Sequence, residues 1–500
     1  MHQLFVFLLI LNLFACHKLS LPLFTANSNQ QELVKLHRRS VVKIYVESQP
    51  PSFVQPWQYE EVGRGSGTGF YIGDRQIMTN AHVVAHAVSI YVQKDGDSRL
   101  IPAKVLFLGH DADLATITVE DKNFFDDMPA LTFGDVPELQ EAVTTIGYPR
   151  GGEQISMTEG VVSRIGFRRY VHDGSSEHLL IQVDSAINPG NSGGPVLRDD
   201  KVVGVAFQAF TSAENTGYII PIPVVKRFLQ DIADGRYNGH PLSGLVVDPQ
   251  ALENPQMRSY FFGDQPSRGV LVTAIKSFSP YREFLKAGDI VLSSDGYEIG
   301  VDGKVEFYRE RVNFQAIADL KQQSEDIRLK VLRSGKELEL KIPLLSKNLG
   351  YRTNILHSDR AEFFIHGGLV FSALSKNYLE GWGNKWYRDA PSHLRYTHYY
   401  GSLSEVFEGT EDIIILSDIL MHPVNQHADD FKEQLLLSVS GVPITSLKQL
   451  KNLLEESSET LVARFYQETR PLVLNGSRLA QSHQDIIEQY QIYPESHFNE

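Results

Sequence analysis

Three short motifs carry side chains that together can transfer an acyl group. Gly190-Asn191-Ser192-Gly193-Gly194-Pro195 sets a serine between glycines in a tight turn, Thr79-Asn80-Ala81-His82 offers an imidazole, and Asp111-Ala112-Asp113-Leu114-Ala115 offers a carboxylate. A hydroxyl is a poor nucleophile at neutral pH, so it needs a base beside it, and the base needs a carboxylate that holds one tautomer. Ser192 is the candidate nucleophile, His82 the base and Asp113 the orienting group, with the N–H groups of Gly190 and Ser192 facing a developing oxyanion. Asp113 is preferred to Asp111 because it abuts the apolar run Leu114 to Val119, where water is excluded and a bond to imidazole is strongest. Asp111 reads as a solvated turn residue. Singly, each motif has a plain alternative: a Gly-rich hairpin, one of 17 histidines at the surface or in the core, a turn carboxylate. His82 and His86 stand four apart as in zinc proteases, but Val83 occupies the place of the glutamate base and no third ligand is evident, so no metal or other cofactor is expected.

The elements around these motifs are β-strands. From Val41 to about Leu229 the chain alternates short β-rich runs with Gly, Pro and Asp: VVKIYV, GTGFYIG, QIMTNAHVV, SIYVQ, AKVLFLG, LATITV, AVTTIGY, GVVSRIG, LLIQVD and VVGVAFQAF. That spacing predicts antiparallel barrel material, closed by a helix from Pro223 to Ala233 that stops at Gly235. The chain order His, Asp, Ser on a β-rich unit is that of chymotrypsin-like enzymes; subtilisins run Asp, His, Ser and α/β-hydrolases Ser, Asp, His.

The remainder contains an internal repeat. Gly269 to Ile275 (GVLVTAI) aligns with Gly368 to Leu374 (GLVFSAL), and Asp289 to Ile299 (DIVLSSDGYEI) aligns with Gln434 to Ile444 (QLLLSVSGVPI). Each copy pairs a strand opening after glycine with a strand, a Gly turn (Gly296, Gly441) and a strand, so two copies of one small domain are implied. The second carries an insert from Asn377 to Thr410 rich in Tyr, Trp and Gly.

With 500 residues, a prior of about 150 per domain suggests three units. The formal charge is -14, from 47 basic and 61 acidic side chains, without a dense Lys/Arg block, which argues against nucleic acid as a partner. Cys16 is the only cysteine, excluding an intrachain disulfide and a Cys-based zinc site. It follows an apolar run, Leu4 to Ala15, shorter than a membrane span and of signal-peptide length. Leu13-Phe14-Ala15-Cys16 is similar to a bacterial lipobox with Phe14 out of pattern, so a lipid anchor at Cys16, a noncleaved anchor and plain secretion are alternative forms of export.

TNAHVV, DADLATI and NPGNSGGPVL resemble the HtrA/Deg serine proteases, and FGDVPELQEAVTTIGYPRGG, INPGNSGGPV and GVAFQAF resemble the plant-type Deg subgroup in particular; the likeness runs from about Val41 to Tyr493. It implies a mostly β protein: a leader over 1–16, a chymotrypsin-like double β-barrel protease domain over 37–235, PDZ-like α+β domains over 243–345 and 360–470, the second degenerate, and a C-terminal segment, 471–500. It gives His82, Asp113 and Ser192 the triad roles and Gly190 and Ser192 the oxyanion role, and it makes Ser243-Gly244-Leu245-Val246 the loop that takes a peptide C-terminus. The segment Leu285-Lys286-Ala287-Gly288-Asp289-Ile290 is similar to the LKAGD of family PDZ domains; the second repeat lacks it. Ala186 and Ile187, before the nucleophile, fall where such enzymes build the primary specificity pocket. The resemblance implies cleavage of unfolded polypeptides in the bacterial periplasm or envelope, without ATP since no Walker loop occurs, and a homo-oligomer, a trimer or a multiple. The alternative is a chaperone or peptide-binding scaffold with an inert barrel.

Overall fold

The structure is a computed structural model that describes residues 35–498 apart from 151, 153, 175, 210–216, 264–267, 346–356, 358–359 and 457–459. The leader and the lipobox at Cys16 lie outside the described residues.

Pairing of β-rich runs from end to end closes the first barrel. Its strands are Val41–Ser48 (β1), Gly63–Gly73 (β2), Gln76–Thr79 (β3), Ala87–Lys94 (β4), Ile101–Gly109 (β5) and Leu114–Val119 (β6), hydrogen-bonded in the order β1-β2-β3-β6-β5-β4. Every residue of β6 is buried, Thr116 and Thr118 included, which explains a strand built of Leu, Ala, Ile, Val and Thr without a charged side chain. Thr132–Phe133 (β7) leads to a second set: Ala142–Gly147 (β8), Ser156–Arg169 (β9), Glu177–Val183 (β10), Pro195–Arg198 (β11), Lys201–Ala209 (β12) and Gly217–Pro221 (β13). These run β11-β8-β9-β10-β13-β12, and pairing of β11 with β12 closes the ring. The double barrel agrees with the sequence expectation. The strands that local pattern does not announce are β7, β11 and β13, short runs whose neighbouring Gly and Pro read as turns. The closing helix spans Ile222–Asp231, continues as a 3-10 turn and ends at Gly235 with φ +89°.

The barrels meet through Thr68 of β2, which is fully buried. Its hydroxyl donates to the Gly190 carbonyl (2.7 Å) and accepts from the Tyr148 N–H (2.9 Å), while its own N–H donates to the Ser192 carbonyl (2.9 Å). Thr79 Oγ1 in turn donates to the Thr68 carbonyl (2.7 Å). A threonine of the first barrel therefore holds the serine turn of the second.

The first repeat is a sheet of Leu245–Asp248, Val270–Ile275, Ile290–Ser294, Asp326–Arg333 and Lys336–Pro343 in that order, with Tyr297–Glu298 paired to Ile290–Ser294. In the second, Ile414–Ile419, Leu369–Ala373, Phe363–His366 and Ser496–His497 form one sheet, and Val442–Pro443, Leu436–Val439, Thr460–Phe465 and Leu472–Asn475 another. The equivalent hairpins use one device, a left-handed pair: Asp295 and Gly296 (φ 45° and 86°), Ser440 and Gly441 (φ 47° and 85°). The stretch after 470, which the sequence sets apart, supplies strands to both sheets and the helix Gly476–Tyr490, whose Leu479 and Ile486 are buried. The insert folds into short helices, among them Trp386–Asp389 and Ser392–Tyr400, and meets the first repeat through Ser277 N–H to the Ser402 carbonyl (3.0 Å) and an Arg282–Glu408 ion pair.

Thr68→Val keeps the shape and removes the hydroxyl, leaving the Gly190 carbonyl and the Tyr148 N–H buried without their partner. The expected result is a loss of about 1–3 kcal/mol in denaturant unfolding, with faster amide exchange at Asn191 and Gly193. Unchanged exchange there would show that the turn is held by its own geometry.

Candidate active site

His82 lies on a single helical turn, Ala81–Val84, that begins two residues after β3. Asn80 anchors its start by donating from Nδ2 to the Asp113 carbonyl (2.8 Å). Asp113, 1% exposed, takes a left-handed backbone (φ 50°) at the mouth of β6, a conformation that aspartate tolerates better than most side chains. Both carboxylate oxygens are used on one residue: Oδ1 accepts the His82 backbone N–H (2.9 Å), and Oδ2 lies 2.8 Å from His82 Nδ1. With Nδ1–H given to the carboxylate, Nε2 is left with its lone pair. Burial pulls the His82 pKa down, but the charge of Asp113 and its hydrogen bond outweigh that and hold it above the ordinary 6.5.

The serine turn is built so that only glycine fits at two places. Gly190 (φ +102°) and Gly193 (φ +85°) have left-handed backbones, and a Cβ would overlap the Tyr148 carbonyl at the first and the Thr68 carbonyl at the second. Asn191, Gly193 and Gly194 donate their N–H groups to Asn188, Ala206 and Asn191 respectively. Among the described residues the Gly190 and Ser192 N–H groups have no such acceptor. Ser192 Oγ donates a long bond to the Phe207 carbonyl (3.3 Å) and is not hydrogen-bonded to His82. Ile187 is buried against Gly217, and the half-buried Ala186 accepts from Thr158 Oγ1 (3.4 Å). Neither brings a charge.

Asp111 departs from the expected solvated turn. It is half-buried and accepts from Tyr237 Oη (2.6 Å) and from the His240 N–H (2.7 Å). Burial raises its pKa, yet His240 and these hydrogen bonds hold it down at about 2. Sequence proximity to β6 could not reveal this, because the partners lie about 130 residues on, in the connection to the first repeat. Beside it, Asp319 of the first repeat accepts from His178 of β10 (2.8 Å) and His240 (2.9 Å), all three nine-tenths buried or more. Burial alone would lower the His178 pKa, but Asp319 lifts it to about 9. The His178 ring lies edge-on to Tyr170 (4.8 Å), and Tyr170 packs on Phe207 (4.7 Å), whose carbonyl holds Ser192 Oγ.

In the first repeat, the sequence places the peptide loop at Ser243-Gly244-Leu245-Val246. Gly244 (φ 56°) turns the chain, its carbonyl accepts from Lys276 N–H (2.9 Å), and Leu245–Asp248 becomes an edge strand. The loop opens on a cavity of about 1160 Å³ lined also by Lys276, Phe278, Trp386 and Tyr399. Asp289 of the LKAGD-like segment is buried and bridges Arg333 (2.6 Å), so it holds the fold together.

Comparison with known proteins gives the same outline. A model of the trypsin-like peptidase domain matches residues 67–205, and a model of the PDZ domain matches residues 354–496, the repeat read as degenerate. The Arabidopsis thaliana "Putative protease Do-like 3, mitochondrial" is 37% identical over 85% of this chain and 73% of its own length. "Protease Do-like 4, mitochondrial", from the same plant, is 35% identical over 91% of this chain and 84% of its own. Among solved structures, "HtrA-type protease AlgW with decapeptide" aligns with TM-score 0.47 and 22% identity over 63% of this chain and 98% of that one. The extent of identity to the two plant proteins places the chain in the Do-like (Deg/HtrA) family of serine proteases.

Proposed function

We propose that the chain is an ATP-independent endopeptidase for unfolded or damaged proteins in an envelope compartment, with Ser192 as nucleophile, His82 as base and acid, and Asp113 as orienting carboxylate. The observation that carries this reading is Asp113 committing both oxygens to His82, beside a glycine turn with two N–H groups free of internal acceptors. The reactive arrangement needs Ser192 Oγ to leave the Phe207 carbonyl and turn to His82 Nε2; loose contacts of this kind are usual before substrate binds. Nε2 takes the hydroxyl proton as Oγ attacks the scissile carbonyl, and the oxyanion settles on the N–H groups of Gly190 and Ser192. The protonated imidazole, stabilised by Asp113, then gives its proton to the leaving amine, and water repeats the sequence on the acyl-enzyme.

Ala186 and Ile187 favour a pocket for small or medium aliphatic side chains. The edge strand Leu245–Asp248 can accept a peptide C-terminus as an added strand, its carboxylate held by the Ser243 to Val246 loop. Occupancy is felt at the barrel through Asp319, which touches His178, and through the Asp111 turn, two residues before Asp113. The polar segment from Arg168 to Ser176 receives the same signal by way of Tyr170. In this reading the second repeat, which lacks the LKAGD-like segment, serves assembly into a homo-oligomer, and the oligomeric state of the full-length chain tests it. The apolar run ahead of Cys16 supports export to a bacterial periplasm or envelope membrane, with a lipid anchor at Cys16, a noncleaved anchor and plain secretion as its alternative forms; the plant relatives named above are mitochondrial. Sequencing of the mature N-terminus tests that placement.

Ser192→Ala or His82→Ala should reduce casein hydrolysis by several orders of magnitude with the circular dichroism unchanged. In the wild-type enzyme kcat/KM should rise with pH through a midpoint above 6.5, because the base acts only when neutral and its pKa is raised. Turnover by pure Ser192→Ala protein would end the serine mechanism. Mass-spectrometric mapping of casein products should show cleavage after Ala, Val, Ile or similar residues, and a preference for Lys or Arg would displace the pocket from Ala186 and Ile187. Peptides ending in Val or Leu should bind the first repeat and raise hydrolysis by up to about tenfold, the effect of about 1.4 kcal/mol of differential binding. Asp319→Ala should keep the binding and lose the activation; full activation in that variant would take the relay elsewhere.

A further inference from the structure

Four histidines far apart in the sequence converge at the cleft, and none of them has a part in the mechanism above. His86 follows the helical turn that bears His82, His110 stands at the end of β5, His172 lies between β9 and β10, and His357 belongs to the connection between the repeats. The ring of His357 stacks on those of His110 (centroids 4.2 Å) and His172 (4.0 Å), with His86 at 5.7 Å. His172 is also the nearest of them to His82, at 6.0 Å between ring centroids. His110 Nδ1 and His172 Nε2 face each other at 2.8 Å, and ligand atoms of His110, His172 and His357 all lie within 4.8 Å of one another.

We propose that His110, His172 and His357 form a binding site for a divalent transition-metal ion of the zinc class, and that its occupation inhibits the protease. Three nitrogens on one tetrahedral ion at 2.0–2.1 Å lie about 3.3 Å apart, so no pair need close by more than about 1.5 Å and the His110–His172 pair, at 2.8 Å, opens by about 0.5 Å, within reach of side-chain rotation. The hydrogen-bond pattern suits ligation. His357 Nε2 lies 3.3 Å from the His172 carbonyl, the backbone acceptor that fixes the tautomer of a metal-bound histidine, and this leaves Nδ1 with its lone pair. Between His110 and His172 two ring nitrogens share one proton. An ion can take its place, the ring that donated it passing to its other tautomer with no net proton released.

The second cluster of this kind differs: His178 and His240 both direct Nδ1 at Asp319 Oδ1, an ion-pair arrangement that commits those two nitrogens to the carboxylate and leaves only the buried Nε2 of each ring without a partner. Charge and ligand type select the metal class, since imidazoles without thiolates or a carboxylate suit Zn²⁺, Co²⁺ or Ni²⁺ better than Ca²⁺ or Mg²⁺. Inhibition follows from position. The ion would join the first barrel (His110), the second (His172) and the inter-repeat connection (His357) beside His82, where substrate must enter.

The site itself is tested in the Ser192→Ala protein, full length, by titrating Co²⁺ and following its visible absorption. The expected result is a saturable nitrogen-ligated spectrum at one equivalent, weakened about tenfold or more by His172→Ala and by His357→Ala. Absence of binding would overturn the site, and binding undiminished in both variants would overturn it and send the ion elsewhere, such as His178 and His240. The regulatory half is tested by casein hydrolysis with Zn²⁺: the wild type should be inhibited and restored by a chelator. His357→Ala should keep its basal rate and need at least about tenfold more Zn²⁺. Equal inhibition of both proteins would overturn the regulatory role. This half rests on the protease reading, but the Co²⁺ spectrum does not, so a chain without hydrolytic activity would still show whether these histidines bind the metal.

Discussion

A single buried hydroxyl, that of Thr68, sets the relation between the two barrels. It belongs to the first barrel, yet its partners are the Gly190 carbonyl and the Tyr148 N–H of the second, and the Thr68 amide binds the Ser192 carbonyl. The serine turn carries left-handed glycines whose neighbours would not tolerate a side chain, and such a turn persists only when the surroundings over-determine it. Thr68 supplies that over-determination from the side of the cleft that bears His82 and Asp113. His82 and Ser192, the base and nucleophile of the proposed mechanism, thus stand on separate sheets and share one hydrogen-bonded seam.

The same logic extends outward to the first repeat. Two carboxylates do the work at the junction, Asp111 on the barrel and Asp319 on the repeat, and His240 contacts both. Removing one member of so buried a cluster leaves charge without compensation, which is costly, so the junction behaves as a unit. Its position matters because Asp111 lies in the turn that presents Asp113, while His178 abuts Tyr170 and through it Phe207, the residue whose carbonyl engages Ser192. Both halves of the proposed catalytic apparatus are therefore within a few contacts of the domain expected to bind peptide. The insert of the second repeat adds a further wall to the cavity at that loop, which makes the two repeats neighbours at one opening.

Most of the architecture and the chemical inventory can be read from local runs of the chain. Runs of β-branched and apolar residues at short spacing, Gly-Asn-Ser-Gly-Gly, the Asn80–His82 step out of β3, the apolar β6 after Asp113, and the matched Gly turns at 296 and 441 are local signals, each dictated by backbone conformation or by which face must be dry. What depends on residues distant in the chain emerges when the folded units pack. Asp111 reads as solvated until Tyr237 and His240 are brought to it, and Thr68 is an ordinary strand residue until the second barrel docks. The strands after 470 reveal their place only when Thr460–Phe465 and Phe363–His366 present open edges to them. The gathering of His86, His110, His172 and His357 has no periodicity at all, because four separate loops deliver them and the spacing between loops is set by how barrels and repeats pack. Local physics is written in neighbouring residues; a contact between loops is written only in the fold.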